Sequence, residues 1–188
     1  MQNHNRTALL VMDMQNGIVS RFAPEDLFPV QKAVEAAREH AIPVIYVRIA
    51  FREGYPELNP RNRSSARIPQ YGGMITTDTG TQIHESVKPE PGEPIVTKFR
   101  VSAFSGSDLE IILRSRQIDT LILSGVATSG VVLSTLREAA DRDYALTVLS
   151  DACVDGDPEV HRVLVEKVFP RQADVLTVEA WIDSLGIL

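Results

Sequence analysis

Two residues of opposite charge stand where apolar runs end. Asp13 follows Ala8-Leu9-Leu10-Val11-Met12, and Lys98 follows Pro94-Ile95-Val96-Thr97. A carboxylate or ammonium at the end of a buried strand is costly unless it is paired or hydrogen-bonded. Each could answer the other. Such a pair is either a structural ion pair or an acid/base unit with a shifted pKa. A third feature is the turn Gly125-Val126-Ala127-Thr128-Ser129-Gly130, which closes one apolar run and opens a helical pattern. Backbone N–H groups at a helix start favour an anion or a developing oxyanion. The same residues also read as a plain strand-to-helix turn capped by Thr128 or Ser129.

The remaining reactive types form no clear constellation. Cys153 is the single cysteine and ends a different apolar run, which suits a buried, inert thiol. Ser129, Ser102 and Ser105 could serve a serine-dependent amidase, but no histidine is spaced to act as their base. The histidines are His4, His40, His84 and His161. His161 falls at a helix start and His84 in a long irregular segment. Arg48, Arg52, Arg61, Arg63 and Arg67 could grip a carboxylate bidentately or make subunit salt bridges. Phe22, Phe99 and Phe104 could wall a pocket or simply fill core.

The elements that must position these residues alternate between strand and helix patterns, as in a parallel sheet covered by helices. Strands are expected at Ala8 to Met12, Pro43 to Ile49, Pro94 to Thr97, Thr120 to Ser124, Ala145 to Ser150 and around Val175. Val30, Ala33, Val34 and Ala37 share one helical face within Leu27 to His40. Ser107 and Glu110 have capping-box spacing for a helix to about Arg116. Further helices are expected over Ser129 to Arg142, from Asp157-Pro158 to about Phe169, and over Glu179 to Leu185. Ala50 to Glu93 has no strong period. A connection of that length is functional or packs on a partner, or else wanders over the surface. In an open α/β sheet the ligand site lies beyond the carboxyl ends of the strands, where Asp13, Lys98 and the glycine turn all fall.

Composition bounds the reading further. The chain has 188 residues, enough for one domain, 1–188, to bury a core without metal or disulfide. A net charge of −6 disfavours nonspecific nucleic-acid binding. One cysteine suits a reducing cytoplasm. No apolar run has the ~20 residues of a membrane span. The start, Met1 to Arg6, is polar, and Asp13 interrupts the first apolar run, so no signal peptide is expected.

Taken in order, these segments resemble the isochorismatase-like hydrolases. Thr7-Ala8-Leu9-Leu10-Val11-Met12-Asp13-Met14-Gln15 resembles their opening strand and D-x-Q motif. Val96-Thr97-Lys98 with Val101-Ser102-Ala103-Phe104 resembles their lysine segment. Asp119 to Thr128 resembles the strand and turn before their nucleophile. Asp151-Ala152-Cys153 and Asp157-Pro158-Glu159-Val160-His161 resemble their late strand and helix. The resemblance covers nearly the whole chain.

It implies a three-layer α-β-α fold with an open, mostly parallel, Rossmann-like sheet. Many members hydrolyse amides or N-carbamoyl compounds with an Asp–Lys–Cys triad. Asp13 and Lys98 match the first two. The family turn G-x-x-T-x-x-C reads here Gly125 to Val131, so Val131 stands in the cysteine position and cannot attack a carbonyl. A cis peptide at the turn would join Val126 to Ala127. True isochorismatases, which cleave a vinyl ether, also lack the cysteine and usually carry glycine there; here glycine comes one place early, at Gly130. Metal-binding members use an Asp-x-His pair and a later histidine, a pattern these four histidines do not form, so no metal or other cofactor is expected. The protein is expected to act on a small molecule, in the cytoplasm and with no nucleic-acid or membrane partner, and the long Ala50 to Glu93 segment leads us to expect a homo-oligomer, dimer or tetramer. Asp13 is expected as acid/base and Lys98 as its partner. Gln15, Phe22, Phe104, Val126, Ala127, Thr128, Ser129 and Gly130 are expected to bind substrate. The alternative is a noncatalytic, ligand-binding relative.

Overall fold

The computed structural model describes residues 6–186; His4 and the polar stretch before Arg6 lie outside them. Six parallel strands form one sheet in the order β3-β2-β1-β4-β5-β6. They are β1 (Thr7–Met12), β2 (Val44–Ile49), β3 (Ile95–Lys98), β4 (Thr120–Val126), β5 (Ala145–Val154) and β6 (Asp174–Leu176). The helices are α1 (Asn16–Val19), α2 (Pro24–Glu39), α3 (Ile68–Tyr71), α4 (Leu109–Ser115), α5 (Leu133–Asp141), α6 (Pro158–Val163) and α7 (Val178–Leu185).

Strand periodicity sorts the core into two layers. Leu9 and Val11 point to the face covered by α2 and α7, where Val30, Ala33, Ala37 and Trp181 are buried. Ala8, Leu10 and Met12 point to the opposite face, covered by α4 and α5 through Leu109, Leu113, Leu136 and Ala139. The central strand β1 is buried at every residue, as a strand covered on both faces must be. No helix among the described residues is long and apolar enough to cross a membrane.

The strand order reverses between β1 and β4, which opens a crevice beyond their carboxyl ends. There β4 runs two residues further than its apolar run suggests, to Val126, and β5 continues to Val154. Gly125 makes this close approach possible. Its φ is 133°, and a Cβ there would sit 2.0 Å from the Met12 carbonyl oxygen.

Two local expectations are corrected. Ser107 and Glu110 form no capping box. The Ser107 hydroxyl donates to the Ala103 carbonyl and accepts from Leu109 N, while Glu110 turns to Arg114 and Arg142. Charge pairing outcompeted the reach back to a backbone N–H. Second, α2 starts at Pro24, three residues before its apolar stripe. Asp26 accepts a hydrogen bond from Ala23 N and so closes the first turn.

The Ala50 to Glu93 segment is stitched to the sheet edge rather than loose. Gln15 bridges Ile83 and Phe51 bridges Ile75. Asn16 donates its N–H to the Gln82 carbonyl at 3.0 Å and its side-chain amide to the Thr79 carbonyl at 2.9 Å. Arg38 holds the far end through Glu93 and the Lys88 carbonyl.

Candidate active site

Asp13 leaves β1 in a left-handed conformation, φ 55°, and its N–H bonds the Val47 carbonyl at the end of β2. Its carboxyl is thereby set beyond the switch point, with the residue only 5% exposed. Lys98 ends β3, in register with Ile49. The strand β2 lies between them, a span of roughly 10 Å from β1 to β3. Only a long side chain crosses it: Lys98 Nζ reaches Asp13 Oδ2 at 3.0 Å and donates to the Arg100 carbonyl at 3.1 Å.

The two carboxyl oxygens are therefore unlike. Oδ2 carries the lysine, whereas Oδ1 is enclosed with no hydrogen-bond partner. Burial pushes the Asp13 carboxyl up to about 6, against the Lys98 ammonium, which pulls it down. A carboxyl poised near neutrality with one bare oxygen can take a proton and return it.

The Val126–Ala127 peptide is cis. After it the chain makes a π-like turn over Thr128–Val132, broken at Gly130 (φ −99°, ψ −105°), and enters α5. Two contacts fix this turn. Thr128 Oγ1 lies 2.8 Å from His161 Nδ1 on α6, and Ser129 N donates to Asp155 Oδ2 at 2.7 Å. The anion site expected of these amides is narrowed. Ser129 N serves Asp155, and Gly130 N and Val132 N serve the Ala127 carbonyl. Of the two clasping side chains, His161 is legible from sequence only as a helix-start residue, and Asp155 carries no sequence signal. Asp155 and His161 lie far along the chain from the turn and meet it only because β5 pairs with β4.

The other expected residues divide. Val131 is buried on the turn, packed into the α4–α5 core. Val126 is buried on the opposite face. Ala127 and Gly130 are half-buried and Ser129 is exposed. Phe22 lines a cleft of about 480 Å³ between the start of α2 and the end of β5, with Val154, Cys153 and His161. Gln15 is a brace. Its amide donates to the Ile49 carbonyl at 2.9 Å and accepts from Ile49 N at 2.8 Å, prolonging β2's pairing. Phe104 is not at this edge. It stacks 5.9 Å from Tyr144 with Arg142 over its ring, because the chain after Lys98 descends along the helix layer.

Cys153 sits on β5, four strands from Lys98, a separation of roughly 19 Å at normal strand spacing. Burial pushes its thiol up to about 12. Ser102 is tied to Glu138. Arg48 serves Thr97 and Arg52 serves Glu57. No group of three or more His, Cys, Asp or Glu side chains among the described residues is placed to hold a metal.

The isochorismatase domain family matches residues 7–180. The chain belongs to the isochorismatase family. It is 32% identical to YwoC of Bacillus subtilis, an isochorismatase family protein, over 96% of this chain and 94% of that one. It is 32% identical to the ureidoacrylate amidohydrolase RutB of Pseudomonas savastanoi pv. phaseolicola, covering 95% of this chain and 80% of the relative. Among solved structures, a cysteine hydrolase from Pseudomonas syringae pv. phaseolicola superposes with a TM-score of 0.87 at 26% identity, covering 97% of this chain and 93% of that one. The N-carbamoylsarcosine amidase of Thermoplasma acidophilum gives 0.74 at 27%, with 93% and 97% covered. RutB, the cysteine hydrolase and the N-carbamoylsarcosine amidase are hydrolases by name, and this chain shares the three-layer fold of the two solved structures.

Proposed function

We propose that the protein hydrolyses a small amide or ureide without a covalent cysteine intermediate, as one domain in a reducing cytoplasm. The observation that carries this is the Asp13 carboxyl, with Oδ2 on Lys98 and Oδ1 enclosed and bare. The substrate class comes from the ureidoacrylate and N-carbamoylsarcosine relatives. Asp13 Oδ1 takes a proton from water as the water oxygen adds to the substrate carbonyl. The resulting oxyanion lies against the turn. The proton then passes from Asp13 to the leaving nitrogen, the C–N bond breaks, and acid and amine depart. Lys98 holds Asp13 in place and stabilises its charged form. Val131 occupies the position of the family's nucleophile and offers only a methyl surface, while Cys153 is buried and too far from Lys98 to replace it.

The test is turnover of small amides, carbamoyl compounds and vinyl ethers by wild type, Asp13→Asn and Val131→Cys. Wild-type activity that falls about 10²–10⁴-fold in Asp13→Asn is expected for loss of a general acid/base. Equal activity of the two proteins sinks the mechanism. Silence of wild type on every class beside activity of Val131→Cys favours the noncatalytic, ligand-binding relative.

A further inference from the structure

Lys98 has to deliver its ammonium across β2, and two acceptors fix where it lands: Asp13 Oδ2 at 3.0 Å and the Arg100 carbonyl at 3.1 Å. The first belongs to the end of β1, the second to the bend straight after β3. No strand or helix holds that bend, so its carbonyl needs another restraint. Arg100 supplies it with its own side chain. The guanidinium donates to the Phe99 carbonyl at 2.7 Å and to the Glu57 carbonyl at 2.9 Å. Glu57 lies 43 residues earlier, in the irregular segment. Its carboxylate pairs with Arg52, and the Arg52 guanidinium stands 5.1 Å over the Phe99 ring. Arg52, Glu57, Phe99 and Arg100 thus close a ring of contacts across the two segments. Both acceptors of the Arg100 guanidinium are neutral carbonyls, so the contact uses its rigid fork for direction rather than its charge for pairing.

We propose that Arg100 is a positioning residue of the Asp13–Lys98 centre: by tying its own bend to Glu57, it fixes the carbonyl that seats the Lys98 ammonium against Asp13 Oδ2. The inference rests on the hydrolase reading for its effect on turnover, but not for its effect on the pair. Lys98 is the charged group that acts on the Asp13 carboxyl, and it pulls the pKa down; the Arg100 guanidinium is not one. A change at Arg100 therefore reaches Asp13 through Lys98. Without the fixed carbonyl the ammonium drifts from Oδ2, and its pull weakens with distance.

Carboxyl-carbon NMR of the full chain, labelled at aspartate, would read this, with the Asp13 signal identified by its loss in Asp13→Asn. In Arg100→Met the Asp13 midpoint should rise from about 6 to about 7, part of the roughly 1–3 in pKa that a facing cation is worth. Arg100→Lys, with a point charge in place of the fork, should fall between wild type and Arg100→Met. The inflection of kcat/KM with pH should move by the same amount. Arg38→Met is the control for general loosening of the irregular segment, because Arg38 holds its far end through Glu93 and the Lys88 carbonyl. It should lower the melting temperature and leave the Asp13 midpoint in place. A midpoint unmoved in Arg100→Met, or moved equally in Arg38→Met, would overturn the proposal. If Arg100→Met does not fold, an unmoved midpoint in Arg100→Lys overturns it instead. A shifted midpoint without Asp13-dependent turnover would fail the hydrolase reading alone, and such turnover with an unmoved midpoint would fail the positioning role alone.

Discussion

At the scale of single residues, the chemistry turns on asymmetry within one carboxyl group. Lys98 occupies one Asp13 oxygen, and the other is enclosed without a protein partner. Because folding raises this pKa from 3.8 to about 6, the folded protein holds the proton more tightly than the unfolded chain. The associated stability is fully present below about pH 4 and is lost as pH rises through 6. Asp13→Asn cannot ionise. Its stability relative to wild type should therefore rise by about 3 kcal/mol between pH 4 and pH 8, read from urea midpoints at each pH. A flat difference would mean that Asp13 is not held protonated by burial. For amide turnover, kcat/KM should climb through an inflection near pH 6 as Asp13 ionises to act as base. Cys153 makes the complementary case. With its thiol pushed up to about 12 and enclosed, iodoacetamide should label it far more slowly than a free thiol at pH 8, and labelling should not track activity. Rapid labelling that stops turnover would relocate the nucleophile.

At the scale of elements, the site depends on how closely β4 approaches β1. Gly125 is the tightest point, with both a left-handed φ and no space for a Cβ against the Met12 carbonyl. Gly125→Ala should lower stability by more than about 3 kcal/mol, combining strained backbone with overpacking against rigid main chain. Denaturant titration would read this as a lower midpoint with an unchanged slope, and a midpoint within error of wild type would show that the two strands can part. The turn after β4 is held differently, by side chains of β5's continuation and α6. Asp155 and His161 grip neighbouring residues, Ser129 and Thr128, from outside the β4–α5 unit. The turn's shape therefore depends on the β4–β5 pairing as well as on its own backbone bonds to the Ala127 carbonyl.

At the scale of the whole molecule, the Ala50 to Glu93 segment both roofs the sheet edge and presents apolar surface. Tyr71 at its α3 is 78% exposed, and Val101, just past Lys98, is 38% exposed. We expect a second copy of the chain to cover this face, giving a dimer or tetramer. Light scattering at micromolar concentration should return a multiple of the chain mass, and Tyr71→Glu should shift it toward the monomer. A wild-type monomer under those conditions would leave the segment explained by its hold on Arg100 alone.

Much of this was written in the sequence. Alternating apolar runs and helical stripes give the three layers, since each face needs a partner to bury it. The apolar run before Asp13, and Lys98 at the close of another, set both charged groups at strand ends, and the strand-end rule puts them at one edge. The cis turn was legible only through resemblance. What the sequence could not decide was what each polar group would meet. Gln15 bonds Ile49's backbone, Phe104 packs on Tyr144, and His161 finds Thr128 33 residues away. Local periodicity reports which face of an element is buried, because burial averages over many neighbours. A hydrogen bond depends on one partner at about 3 Å, and that partner is chosen by strand order and register, which exist only once the sheet has closed.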